Sequence, residues 1–179
     1  MLTLTQPVSI SVEPFGVKHP LHIFANPPEI DAPAPGDKDV IYFGPGEHFV
    51  DNPVRIPDNT TVYLAGGAVL KSNFVSTVNR SGTKYYGYDY STIPATFDAT
   101  WAGGVRKKNI TIRGRGIVCG RHTFEQRQRH KMVTVQFADY VKLEGVIFRE
   151  SSGWNLFLDH SSHVHVDNVK IVRGPRIFI

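Results

Sequence analysis

The late part of this 179-residue chain gathers the side chains that could do chemistry. Glu144, Glu150, Asp159 and Asp167 are acids within a short span. A calcium site would need carboxylates clustered on one face. These four are scattered along the local pattern, so solvated turn acids are the expectation. His160, His163 and His165 have a spacing that invites a metal. In an extended segment, residues i and i+2 share a face. His163 and His165 then point outward if Val164 and Val166 point inward, and Asp159 is the nearest third ligand. Exposed strand histidines are the expectation, and no metal or other cofactor is assigned. Cys119 is the single cysteine, which excludes an internal disulfide and a zinc site built on several thiolates.

Charge and aromatic residues supply candidates for binding. The chain carries a formal +4, but the segment from Trp101 to Lys131 holds nine Lys or Arg against Glu125 alone. That segment contributes +8 and leaves −4 for the rest. A basic face concentrates anions: nucleic acid, a membrane surface or an acidic polysaccharide. The span 71–105 is aromatic, with Tyr85, Tyr86, Tyr88, Tyr90, Phe97 and Trp101. Flat rings stack on sugar faces, and projecting loops build clefts. Tyr85, Tyr86, Tyr88 and Trp101 are therefore candidates for sugar contact. Arg121, His122, Arg127 and His130 are candidates for a carboxylated sugar.

The elements that must position these residues are strands. Hydrophobic residues make up 41% and charged residues 20%, an ordinary globular mix. No run approaches the ~20 apolar residues of a membrane helix. The first residues, Met1 to Pro7, lack the basic start and apolar run of a signal peptide. Sixteen Gly and twelve Pro indicate many turns. Alternation of period two marks Val8–Val12, Leu21–Phe24 and Val40–Phe43, while 123–131 reads at most as a polar helical turn.

A template then repeats. Thr61–Leu70, Asn109–Val118, Tyr140–Phe148 and His163–Ile171 each read strand, tight bend, short apolar strand. Gly66, Gly114, Gly145 and Asn168 fall at the bends, where a positive φ is often required. The last two copies are offset by 23 residues, the period of a solenoid with loops inserted at one corner. Ile110 and Ile112, Val141 and Leu143, and Val164 and Val166 are the inward pairs. An antiparallel sandwich also turns every ~8–12 residues, but it does not require copies that share sequence in register.

This pattern resembles the right-handed parallel β-helix of the pectin-lyase-like superfamily, in particular the polygalacturonase-like glycoside hydrolases of family 28. The likeness runs through His19–Glu29, Asp39–His48 with Asn59–Val69, Asn109–Val118, and Ser151–Asp159 with His163–Ile171. It implies an all-β, right-handed single-stranded parallel β-helix (solenoid), incomplete and preceded by a short β lead-in. The expected organisation is 1–36 as β lead-in and Pro-rich linker, and 37–179 as the N-terminal coils, with an aromatic insertion at about 71–105.

The resemblance also implies chemistry. One carboxylic acid protonates the leaving oxygen and one carboxylate activates water, ~6.5–9.5 Å apart in an inverting enzyme. The family's Asn-Thr-Asp, Asp-Asp and Gly-His-Gly motifs do not occur in this sequence. The chain is therefore read as a fragment lacking the active site, inactive by itself, with no catalytic residue assigned. The implied partner is a polysaccharide, anionic in the case of galacturonan, rather than nucleic acid or a membrane. The implied location is secreted or periplasmic. A dextranase-like glucan hydrolase and a non-catalytic carbohydrate-binding or structural β-helix are the alternatives. Oligomeric state is not legible.

Overall fold

The computed structural model describes residues 3–16, 20–73, 95–100, 105–121, 130–172 and 176–178. Two compact units divide the chain, Met1–Ala32 and Pro33–Ile179. In the first, β1 (Val8–Val12) and β2 (Leu21–Ala25) pair antiparallel, with Val8 opposite Ala25. The two strands match the period-two segments of the sequence.

The second unit is a parallel β-helix of five coils, each contributing one strand to each of three sheets. The coils are β3 (Val40–Phe43), β4 (Gly46–Val50) and β5 (Val54–Arg55); β6 (Thr61–Leu64), β7 (Ala68–Ser72) and β8 (Ala95–Ala99); β9 (Lys107–Gly114), β10 (Ile117–Cys119) and β11 (Lys131–Gln136); β12 (Ala138–Glu144), β13 (Ile147–Arg149) and β14 (Trp154–Asp159); β15 (Ser162–Asp167), β16 (Lys170–Val172) and β17 (Arg176–Phe178). Strands one coil apart pair in parallel, so the repeated template lands in register. Ile112 faces both Val62 and Leu143, and Leu143 faces Val166.

The core is the stack of inward rows. Val62, Ile112 and Leu143 form one row, and Leu70, Val118 and Phe148 another, all at 0–1% exposure. Phe97, Val133 and Leu156 form the third. Val164 and Val166 continue the first sheet's inward rows on the fifth coil, yet they are 37% and 39% exposed. Only one side of that coil is paired among the described residues.

The bends follow the template with one correction. Gly114, Gly145 and Asn168 have positive φ as expected, but in the second coil the left-handed residue is Gly67 (φ 85), one place after Gly66. Part of the span 71–105 is coil rather than loop: Lys71 and Ser72 close β7, and Phe97 is a fully buried core residue of β8.

A second kind of bend occurs where the third sheet passes into the first. Asn59, Asn109, Tyr140 and His163 occupy matching places on successive coils, with φ between 50 and 62. Phe137 (φ 53) and His160 (φ 47) do the same three residues earlier. A left-handed residue with a side chain costs roughly 1–2 kcal/mol, and Asn tolerates it best. The early coils use Asn there, and the Asn109 amide donates to Asn59 Oδ1 at 2.7 Å. The later coils use rings.

Candidate functional site

Most of the residues chosen for sugar contact lie outside the described residues: Tyr85, Tyr86, Tyr88, Trp101, His122 and Arg127. Arg121 is exposed at the end of the described stretch 105–121. His130 is inside the coil stack, at 0% exposure. Its Nε2 meets Thr96 Oγ1 at 3.0 Å, and that hydroxyl meets Ser72 Oγ at 2.5 Å. A polar file thus runs through two adjacent coils beside the aliphatic rows. Burial pushes the His130 pKa down to about 3, so the ring is neutral. An enclosed neutral imidazole has no face to offer a sugar carboxylate.

Among the described residues several cations of the basic run are paired or buried. Arg106 is a bidentate partner of Asp139, through Nε at 2.9 Å and Nη2 at 2.7 Å. Ser162 Oγ donates to the same carboxylate at 2.6 Å. These donors hold the Asp139 carboxyl well below its ordinary range. Lys107 lies 3.9 Å from Asp58. Lys131 is fully buried.

The acids separate in the same way. Glu144 and Asp167 are neighbours in register on the first sheet. A hydrogen bond from Lys142 lowers the Glu144 pKa, helped by Arg113 and Arg115. Glu150 is buried with φ 57, its Oε2 3.7 Å from Cys119 Sγ and 3.5 Å from Arg149 Nε. Among the described residues no three His, Cys, Asp or Glu side chains gather as a metal site. His163 sits in a left-handed bend and stacks on Tyr140 rather than following the strand alternation with His165.

The chemistry converges instead on the outer face of the third sheet, which the sequence reading did not select. There Arg55, Asp98, Thr134 and Phe157 lie side by side on successive coils. Arg55 pairs with Asp98. Trp154 and Phe157 stack with centroids 5.1 Å apart and planes 3° apart. The Lys131 ammonium lies 4.0 Å from the Phe157 centroid and 6.0 Å from that of Trp154. Two places further along, Gln136 Nε2 donates to Asp159 Oδ2 at 3.1 Å, and Asp159 Oδ1 meets His160 Nδ1 at 2.7 Å. The file is open at Arg55, Trp154 and Asp159 and closed at Lys131 and Thr134. An accessible aromatic ring, Trp154, on the same face as the part-exposed carboxylates Asp98 and Asp159 suits a polyhydroxylated ligand.

The signal for this face was present but masked by its burial. All six residues of β11 are buried, so Lys131 at its start, and Thr134 and Gln136 alternating with Val133 and Val135, show no contrast in exposure.

No protein-family model matches the chain, and no curated protein matches it. Among solved structures, one from Parabacteroides merdae, provisionally described as a glycosyl hydrolase, is similar at 20% identity with a TM-score of 0.53. The match covers 75% of this chain and 59% of that one. At that identity the likeness is one of fold: the chain has a coil architecture shared with that protein and spans little more than half its length.

Proposed function

We propose that this coil stack belongs to a polysaccharide-cleaving glycoside hydrolase of the polygalacturonase-like type. In the whole protein it acts by inverting hydrolysis of an O-glycosidic bond, with a galacturonan as substrate. Within these residues the task is to bind the sugar chain, through the third sheet's outer face and the aromatic and basic segments holding Tyr85, Tyr86, Tyr88, Trp101, Arg121, His122 and Arg127. The observation that carries the reading is the part-exposed Trp154 ring, stacked on the buried Phe157 beside Lys131 and sharing one face of a parallel β-helix with the part-exposed Asp98 and Asp159. The coil fold shared with a protein provisionally described as a glycosyl hydrolase supports it.

A neutral glucan as substrate, as in dextranase-like enzymes, is the second reading. It is favoured by the internal pairing of Arg106 with Asp139 and of Lys107 with Asp58, which reduces the positive charge offered to an anion.

The test measures binding and turnover of the purified 179-residue chain with polygalacturonate and with dextran. The reading expects saturable binding to polygalacturonate, weaker at high salt, and no release of reducing ends, since none of the family's acid motifs is in the sequence. Binding to dextran alone would move the assignment to the glucan class. Binding to neither would overturn it.

A further inference from the structure

The bend between the third and first sheets carries rings where the chain elsewhere uses asparagine. Tyr140 and His163 stand in the column begun by Asn59 and Asn109, and all four are left-handed. Phe137 and His160 form a parallel column beside them. Bulky residues in this region of φ are outliers, and backbone strain of this kind concentrates at functional sites. Here it is repeated four times on two adjacent coils.

Packing alone gives little reason for the rings. Tyr140 is 57% exposed and the His160 side chain 65%, so neither gains much from burial. The rings do stack: Tyr140 on His163 with centroids 4.5 Å apart, Phe137 on His160 at 4.7 Å, each pair tilted by 20°. A polar frame stands beside them and holds His160. Arg106 donates to the His160 carbonyl at 3.0 Å and clamps Asp139, Ser162 closes on Asp139, and Asp159 holds His160 Nδ1. The result is a largely solvent-facing strip of ring edges and faces with a phenol, two imidazoles and the Asn109 amide along it.

We propose that this strip is a carbohydrate-binding subsite for an extended polysaccharide, distinct from the outer face of the third sheet. Its rings take the apolar face of a sugar, and its flanking donors and acceptors take the hydroxyls. The proposal rests on the polysaccharide reading above and adds a second contact surface to it.

The decisive variants put asparagine, the chain's own solution at this bend, in place of the rings: Tyr140→Asn with His163→Asn, and separately Phe137→Asn with His160→Asn. Affinity for polygalacturonate and for dextran is measured by affinity electrophoresis, and melting temperature by circular dichroism. Removing a ring from a strained position leaves the melting temperature of the Tyr140/His163 double variant unchanged or higher, while affinity for the polysaccharide that the parent binds falls at least tenfold. Unchanged affinity with a lower melting temperature would overturn the proposal, making the rings packing elements. Unchanged affinity and unchanged melting temperature would overturn it equally. If the parent chain binds neither polysaccharide, the functional reading fails and this proposal with it. The parent's own binding curve therefore separates the two failures.

Discussion

Lys131 holds its ammonium 4.0 Å from the centre of the Phe157 ring, and both side chains are buried. The residues come from β11 and β14, strands that pair directly. A desolvated cation over an aromatic face is worth about 2 kcal/mol, more than the same contact in water. Phe157→Leu removes the ring quadrupole but keeps an apolar group, and Lys131→Met removes the charge and keeps the stem. Each change, with the double variant, is measured by urea unfolding. The expected coupling is about 1–2 kcal/mol, so that Phe157→Leu costs less once Lys131 is Met. Additive costs would show that the cation and ring are merely adjacent.

Gly114 marks the tightest backbone approach among the described glycines. Its φ is +130, and a Cβ placed there would lie 2.0 Å from the Leu64 carbonyl oxygen. That oxygen belongs to the neighbouring strand and also accepts from Arg115 N and Gly116 N. Relief requires one coil to move away from the next. Gly114→Ala is expected to cost more than about 3 kcal/mol, in the range of the severe backbone and packing substitutions. Gly36→Ala is the control: φ is positive there too, at +90, but nothing lies within 4 Å. It should cost only about 1 kcal/mol. Equal losses in thermal unfolding would refute the close-approach account.

The first two sheets were legible in the sequence because their strands are half-exposed or end in a marked bend. Ile110 and Ile112 alternate with Thr111 and Arg113, and Gly114 closes the strand. The third sheet was not legible. In β8 and β11 both faces are covered, so the polar residues Thr96, Lys131 and Thr134 are as buried as their apolar neighbours, and no contrast survives. Phe97 was grouped with loop aromatics for that reason. His130 looked like part of a basic surface loop because its partners Thr96 and Ser72 are 34 and 58 residues away, and only coil stacking brings the three together. The ring columns were hidden too: nothing local in Asp139-Tyr140-Val141 announces a left-handed bend.

His130 should make the fold acid-sensitive well above the carboxylate range. Its pKa is about 3 in the folded chain and near 6.5 when exposed. Between those values the unfolded chain binds the extra proton, so stability is complete above about pH 6.5 and declines as pH falls toward 3. The slope approaches about 1.4 kcal/mol per pH unit for one such group. From pH 6.5 to 5, before most carboxylates titrate, the loss is expected to be about 2 kcal/mol by urea unfolding. His130→Gln keeps a hydrogen-bonding side chain and removes the titration. Its unfolding free energy should be nearly flat over the same interval, whatever its absolute value. An equally steep decline in the variant would assign the acid sensitivity elsewhere.

Thr134 presents the opposite case, a polar group buried with nothing to bond among the described residues. Its side chain is 3% exposed on the outer face of the third sheet, and Oγ1 has no hydrogen-bond partner among the described residues. Leaving a buried hydroxyl unmet costs about 1–3 kcal/mol. Thr134→Val replaces that hydroxyl with a methyl group of similar size and should raise stability by about 1 kcal/mol, read as a higher urea midpoint with an unchanged slope. Thr134→Ser keeps the hydroxyl and loses the methyl, and should lower stability by about 0.8 kcal/mol. The pair of variants also probes the proposed sugar face. If a ligand hydroxyl completes the Thr134 bond, Thr134→Val weakens polysaccharide binding while stabilising the empty protein, and Thr134→Ser leaves binding nearly unchanged. A destabilised Thr134→Val chain would mean that the hydroxyl is already satisfied, for instance by an ordered water, and would remove Thr134 from the binding face.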